Sequence, residues 1–203
     1  MPPLIFCLML LFALAATGCS SSPPSIEAPA FDAASAAKQA IADYDANGNG
    51  TIEGAELNKS PALKDALAQI DKDGKQITLE ALTARMQSWR QISVIPIVCT
   101  VVLDGAPVEG ATVTFVPEKF LGAARPQATG KTDSNGAAII VSNSPELAAK
   151  RITGVYSGLY SVSITGGQPE VPADYGAKTP LGLEVAADAK RGGEPIRFEL
   201  TSQ

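Results

Sequence analysis

The chain has 203 residues, a length that fits one large or two small domains, and a formal net charge of −5 at pH 7. That acidity argues against nucleic-acid binding, which needs a basic stripe, and suits a protein that attracts divalent cations. No histidine is present, which removes Ser-His-Asp and Cys-His catalysis and histidine-based zinc sites, because each needs an imidazole.

The chain opens with an uncharged stretch, residues 1–18, in which Leu4–Ala16 is one apolar run. Such a run is too short to anchor across a bilayer and right for a signal-peptide core. The small residues Ala15, Ala16, Thr17 and Gly18 lead directly into Cys19. This arrangement resembles a bacterial lipobox. It implies that Cys19 is the lipidated first residue of an exported, membrane-anchored envelope protein. Residues 19–30 are Ser/Pro-rich and read as a tether.

Residues 31–91 are Ala-rich with helical spacing. Ala37, Ala40, Ile41 and Tyr44 lie on one face of a first helix. Ser60-Pro61 starts another, with a hydroxyl cap and proline at the first helical position. Leu63, Leu67 and Ile70 share its face, and Leu79, Leu82, Met86 and Trp89 form the last stripe. Four short helices around two polar loops predict an EF-hand pair.

The first loop carries the chemistry. Residues 45–56 match D-x-[DN]-x-[DN]-G-x₅-E at every position. Ca²⁺ is a hard cation that takes six to eight oxygen ligands. Asp45, Asn47 and Asn49 would present side-chain oxygens. Gly50 permits the sharp turn, and Thr51 offers its main-chain carbonyl. Glu53 would ligate directly or through water, and Glu56 would close the site with both oxygens. A register starting at Asp43 would put Gly54 at the closing position and lose the bidentate carboxylate. Asp43 is therefore a helix-end acid beside the loop. With two neutral amides among the early ligands, affinity is expected to be weak, on the order of 10⁻⁴ M. The second loop, Asp71 to Ala81, is one residue short before Ile77. Lys75 and Gln76 replace a ligand and the turn glycine, and Ala81 replaces the closing Glu. It reads as a structural partner, with Ile77 pairing Ile52.

From residue 92 to the end, period-two alternation takes over. Ile95, Ile97, Cys99, Val101 and Leu103 alternate, as do Ala111, Val113 and Phe115. Asp104-Gly105 and Asp133–Gly136 are turn signals. Further strands are expected near 128–132 and over Ala137–Val141, at Tyr160, Val162 and Ile164, and at Ile196, Phe198 and Leu200. The expected fold is therefore α+β in two domains: an N-terminal helical EF-hand pair, then an all-β sandwich of about seven strands over 92–203. Cys99 reads as a buried small hydrophobe.

The strings LDGAPVEGATVTFVP (103–117), TGKTDSNG (129–136) and GLYSVSI (158–164) resemble planctomycete-type exported proteins. Those join an EF-hand pair to a transthyretin-like, or carboxypeptidase regulatory-like, β-sandwich. The resemblance implies an accessory β-module with no catalytic residues to transfer. Two readings follow for a non-enzymatic protein. One is a calcium-binding exported lipoprotein with a single working loop. The other is a structural or adhesion module of the cell envelope. In that second case the β-module binds a protein or glycan partner, and Ca²⁺ is only a staple.

Overall fold

A computed structural model describes residues 29, 31–89, 94–189 and 196–202. The signal segment, most of the tether and Cys19 lie outside the described residues.

Helix α1 (Ala33–Tyr44) starts where Asp32 accepts the Ala34 N–H, and it buries Ala33, Ala36, Ala37 and Ala40 along one stripe. Small residues there let the helix sit close to its neighbours. After the first loop come strand β1 (Thr51–Glu53) and a 3₁₀ turn, Gly54–Lys59. Ser60 caps helix α2 (Pro61–Ile70) by accepting the Leu63 N–H. Strand β2 (Gln76–Thr78) leads into helix α3 (Leu79–Ser88), capped by Thr78. β1 and β2 pair antiparallel, with Ile52 opposite Ile77. Both are fully buried, each worth about 2 kcal/mol of apolar burial.

The rest is strand. β3 (Val94–Ile95) pairs with β9 (Val155–Tyr156) as a small separate ribbon. β4 (Ile97–Leu103) and β5 (Ala106–Pro107) form a hairpin over Asp104-Gly105, both at positive φ, as a two-residue type I′ turn demands. The other strands are β6 (Glu109–Pro117), β7 (Ala128–Lys131), β8 (Ala137–Ser142), β10 (Gly158–Gln168), β11 (Gly182–Val185) and β12 (Ile196–Leu200). A short helix α4 (Pro145–Ala149) follows β8. One hydrogen-bonded path runs β11-β10-β6-β7-β8-β4-β12, with β5 attached to β4. β12 lies parallel to β4, with Phe198 opposite Val101, and the other pairs are antiparallel.

This corrects the expected fold class. The chain is mostly β, one main curled sheet with two small two-stranded ribbons and a few short helices, and not an EF-hand pair followed by a separate sandwich. Two physical causes are visible. First, β8 gives residues 137–140 to β4 and residues 141 and 142 to β7. That shared strand joins what would otherwise be two sheets, and the path curls around one core containing Cys99, Val113, Phe115, Ile140, Ile164 and Phe198. Second, the core of the helical segment is not closed off from the β-rich part. It includes Phe120, Leu121, Leu159 and Ala186 from there. Gly182 on β11 lies so close to the backbone of Pro61 and Ala62 that an added Cβ would strike it. The exit segment of the first loop is also no α-helix. Ser60 is extended and precedes a proline, which supplies no N–H to continue a helix.

Tyr160 is fully buried, and its hydroxyl donates to the carbonyl of Tyr156 at 2.8 Å. Cys99 is buried among strands, and that burial pushes its thiol up to about 12. It is a packing residue.

Candidate metal centre

The first loop is shaped by its own side chains. Helix α1 ends at Tyr44, and the Asp45 N–H makes the last helical bond, to Ile41. The Asp45 carboxylate then turns inward. Its Oδ1 accepts from the Gly48 and Asn49 N–H groups at 2.8 and 3.3 Å, and its Oδ2 accepts from Gly50 at 2.8 Å. Gly48 and Gly50 both sit at positive φ, which glycine adopts freely. The Asn47 Oδ1 accepts the Asn49 N–H at 2.9 Å. The Asn49 Oδ1 accepts both the N–H and the hydroxyl of Thr51. Its Nδ2 donates to Glu53 Oε1 at 2.9 Å.

Glu56 closes the ring. From the 3₁₀ turn beyond β1, its Oε1 accepts the N–H groups of Ala46 and Asn47 at 2.8 and 3.1 Å. Its Oε2 accepts the N–H of Glu53 at 3.1 Å. The residue is buried. The Glu53 N–H, then those of Ala46 and Asn47, hold its carboxyl below the usual carboxylate range, against desolvation and the like charge of Asp45. Asp43 stays outside the ring, accepting from Gln39 on its own helix.

All six sequence-derived candidates, Asp45, Asn47, Asn49, Thr51, Glu53 and Glu56, thus lie on one closed loop. They are not equally available to an ion. A carboxylate offers about four lone-pair positions, so Asp45 and Glu56, accepting three N–H groups each, retain capacity. Asn47 Oδ1 has one position engaged. Asn49 Oδ1 already accepts two bonds and would have to release the Thr51 hydroxyl. The donors are all oxygens, which fits Ca²⁺ chemistry. Among the described residues, no group of three or more His, Cys, Asp or Glu side chains is gathered as a metal site. This loop would draw instead on the carboxylates of Asp45 and Glu56, two amides and a main-chain carbonyl, with Glu53, engaged by the Asn49 amide, as a third carboxylate.

The second loop makes the same kind of turn with fewer donors. Asp71 Oδ1 accepts from Asp73, and its Oδ2 accepts from Lys75 and Gln76. Those N–H groups hold the Asp71 carboxyl below its ordinary value. Among the described residues, no exit-helix carboxylate reaches back as Glu56 does in the first loop.

One residue that sequence reading passed over braces the first loop from outside. Glu118, buried just past β6, accepts from the Tyr44 hydroxyl and the Ser60 hydroxyl at 2.7 Å each. Burial first, and Glu118 second, push the Tyr44 phenol well above its usual value. Glu118 has no motif to announce it, since its partners are 74 and 58 positions away.

No protein-family model, curated protein or solved structure matches this chain.

Proposed function

We propose that this protein is an exported calcium-binding protein with one working loop, residues 45–56, and no catalytic role. The observation that carries the reading is Glu56 reaching across the loop to the N–H groups of Ala46 and Asn47. That contact sets a carboxylate from the far end of the motif beside Asp45, where a bidentate ligand belongs. Bound Ca²⁺ would supply charge neutralisation for Asp45, Glu53 and Glu56. The chain's own residues supply the closed turn and the fixed exit segment. The lack of any histidine supports the non-enzymatic part of the reading. The apolar N-terminal run ending at Cys19 supports export and a lipid anchor at that residue. The resemblance to planctomycete-type exported proteins rests on the residue strings themselves.

Calorimetric titration of the purified protein with Ca²⁺ tests the proposal. Saturable binding on the order of 10⁻⁴ M is expected. Glu56→Gln should abolish it, and Asp71→Asn should leave it unchanged. Absence of saturable heat up to about 10 mM, beyond the range of extracellular EF-hand modules, overturns it.

A further inference from the structure

A groove of about 950 Å³ runs along the outer face of β6 and β10, at the upper end of the size of small-ligand sites. Its floor is a patch of hydroxyls. Thr114 and Ser163 are directly opposite one another across the two strands, and Ser161 and Thr165 lie one step to either side on the same face of β10. Val116 and Pro117 add small apolar surface. One wall is built by the flanks of the first loop, Tyr44 and Lys59, and the other by the segment 176–179.

The lining narrows what fits. Both floor strands are interior to the sheet, β6 between β10 and β7, and β10 between β6 and β11. β6 and β10 are paired with each other along the whole floor, and β11 covers the other side of β10 over Gly158–Ser161, so a peptide cannot add as a strand between them. Charges of both signs are present, Asp43 and Glu118 against Lys59 and Lys119. That balance offers no field for a polyanion or a polycation. The hydroxyl grid is wrong for a lipid tail. Each hydroxyl both donates and accepts, and the small apolar faces between them suit C–H surfaces. A ligand with many hydroxyls and apolar ring faces matches that pattern.

We propose that this groove is a binding site for a short neutral saccharide, held by Thr114, Ser161 and Ser163 on the floor and by the buried Glu118 carboxylate. Glu118 already accepts from Tyr44 and Ser60 and lies 3.5 Å from the Ser161 hydroxyl. It therefore fixes the hydroxyl directions at one end of the groove. The site stands independently of the metal.

The test is titration of the full chain with chitotetraose, cellotetraose, maltotetraose and mannotetraose, with a sulfated heparin tetrasaccharide as the charged control. Running it in EDTA separates the result from any metal in the loop. Saturable binding of at least one neutral tetrasaccharide is expected. The pair Thr114→Val and Ser163→Val, which removes both hydroxyls and places strand-favouring side chains at both positions, should weaken it at least about tenfold with a thermal midpoint no lower than that of the parent. Because that midpoint reports folding, loss of binding cannot be confused with loss of structure. Binding by the sulfated probe alone, by no neutral probe at millimolar concentration, or equally by the double variant, overturns the proposal.

Discussion

Arg85 and Glu184, 99 positions apart in the chain, meet in a two-point ion pair: Nε donates to Oε1 at 2.6 Å and Nη2 to Oε2 at 3.0 Å. Arg85 lies on α3 and Glu184 on β11, and both are buried. Trp89 Nε1 donates to the same Glu184 Oε1 at 3.0 Å, and Asp188 takes the other side of the guanidinium. This network ties the helical segment to the sheet. Removing one partner of a buried pair leaves the other charge uncompensated. Glu184→Ala is expected to cost about 3 kcal/mol, Asp188 retaining part of the Arg85 interaction. Trp89 is the only tryptophan, so its fluorescence reports on the helices, while protection of the β4 and β10 amides from hydrogen exchange across the same urea series reports on the strands. The two urea curves should coincide in the native protein and shift together in the variant. Separate transitions would show that the helices unfold on their own.

Gly182 offers a second, purely steric test of the same contact. Its φ is not in the left-handed region, yet a Cβ there would strike the backbone of Pro61 and Ala62. Backbone cannot step aside as a side-chain end can. Gly182→Ala should therefore destabilise by about 2 kcal/mol or more, the scale of overpacking a tight contact. By contrast, Gly50 has open space around it but φ of +84°. Gly50→Ala should cost about 1 kcal/mol from backbone strain alone. Paired urea titrations compare them, and an inverted order would contradict the packing described here.

Acid sensitivity follows from four carboxylates, the first being Asp32 at the α1 cap, held low chiefly by the Ser35 hydroxyl. Glu56 is held low chiefly by the Glu53 N–H, Asp71 by the Lys75 N–H, and Asp188 by Arg85. Each binds its proton less readily folded than unfolded. The unfolded chain therefore takes up more protons as pH falls through the ordinary carboxylate range, near 4. The stability these groups contribute is present above that range and lost as pH drops through their folded values. Urea midpoints should stay level between pH 7 and about 5.5 and fall below about pH 4. Asp71→Asn should flatten part of that fall. A midpoint that rises on acidification would reverse the assigned signs.

The outer face of the curled sheet carries Val98 opposite Ile139, both well exposed, with Val141 beside them. Apolar residues there gain nothing from burial in the isolated chain. Ile139→Thr should change unfolding free energy by less than about 0.5 kcal/mol. A loss above about 1 kcal/mol by urea denaturation would show that this face is covered.

These same three residues show where the sequence is hard to read. In β4, Ile97, Cys99, Val101 and Leu103 alternate and point inward as the period predicts. Val98 between them is also apolar but faces out, so hydrophobicity alone does not choose the face. Period two identifies strands; it does not name their neighbours. That is why the parallel return of β12 to β4 and the shared strand β8 were not legible, and why one curled sheet passed for a two-sheet sandwich. β11 was missed because Leu183 and Glu184 are both buried, and a buried acid makes sense only with Arg85 in view. The first loop was legible because its logic is local, with the carboxylate and amide hydrogen bonds that close it made within the segment 45–56. The groove was not, since its floor depends on which strands lie side by side.

Glu118 grips the chain at Tyr44, just ahead of the loop, and at Ser60, just behind it. The two approaches to the loop are therefore pinned to one post on the rigid sheet, and the distance between them is set before any ion arrives. A cation entering the proposed site would meet two loop ends already tied to Glu118. Under the proposed function, calcium would act in place, as a rivet rather than as a signal passed to a moving partner.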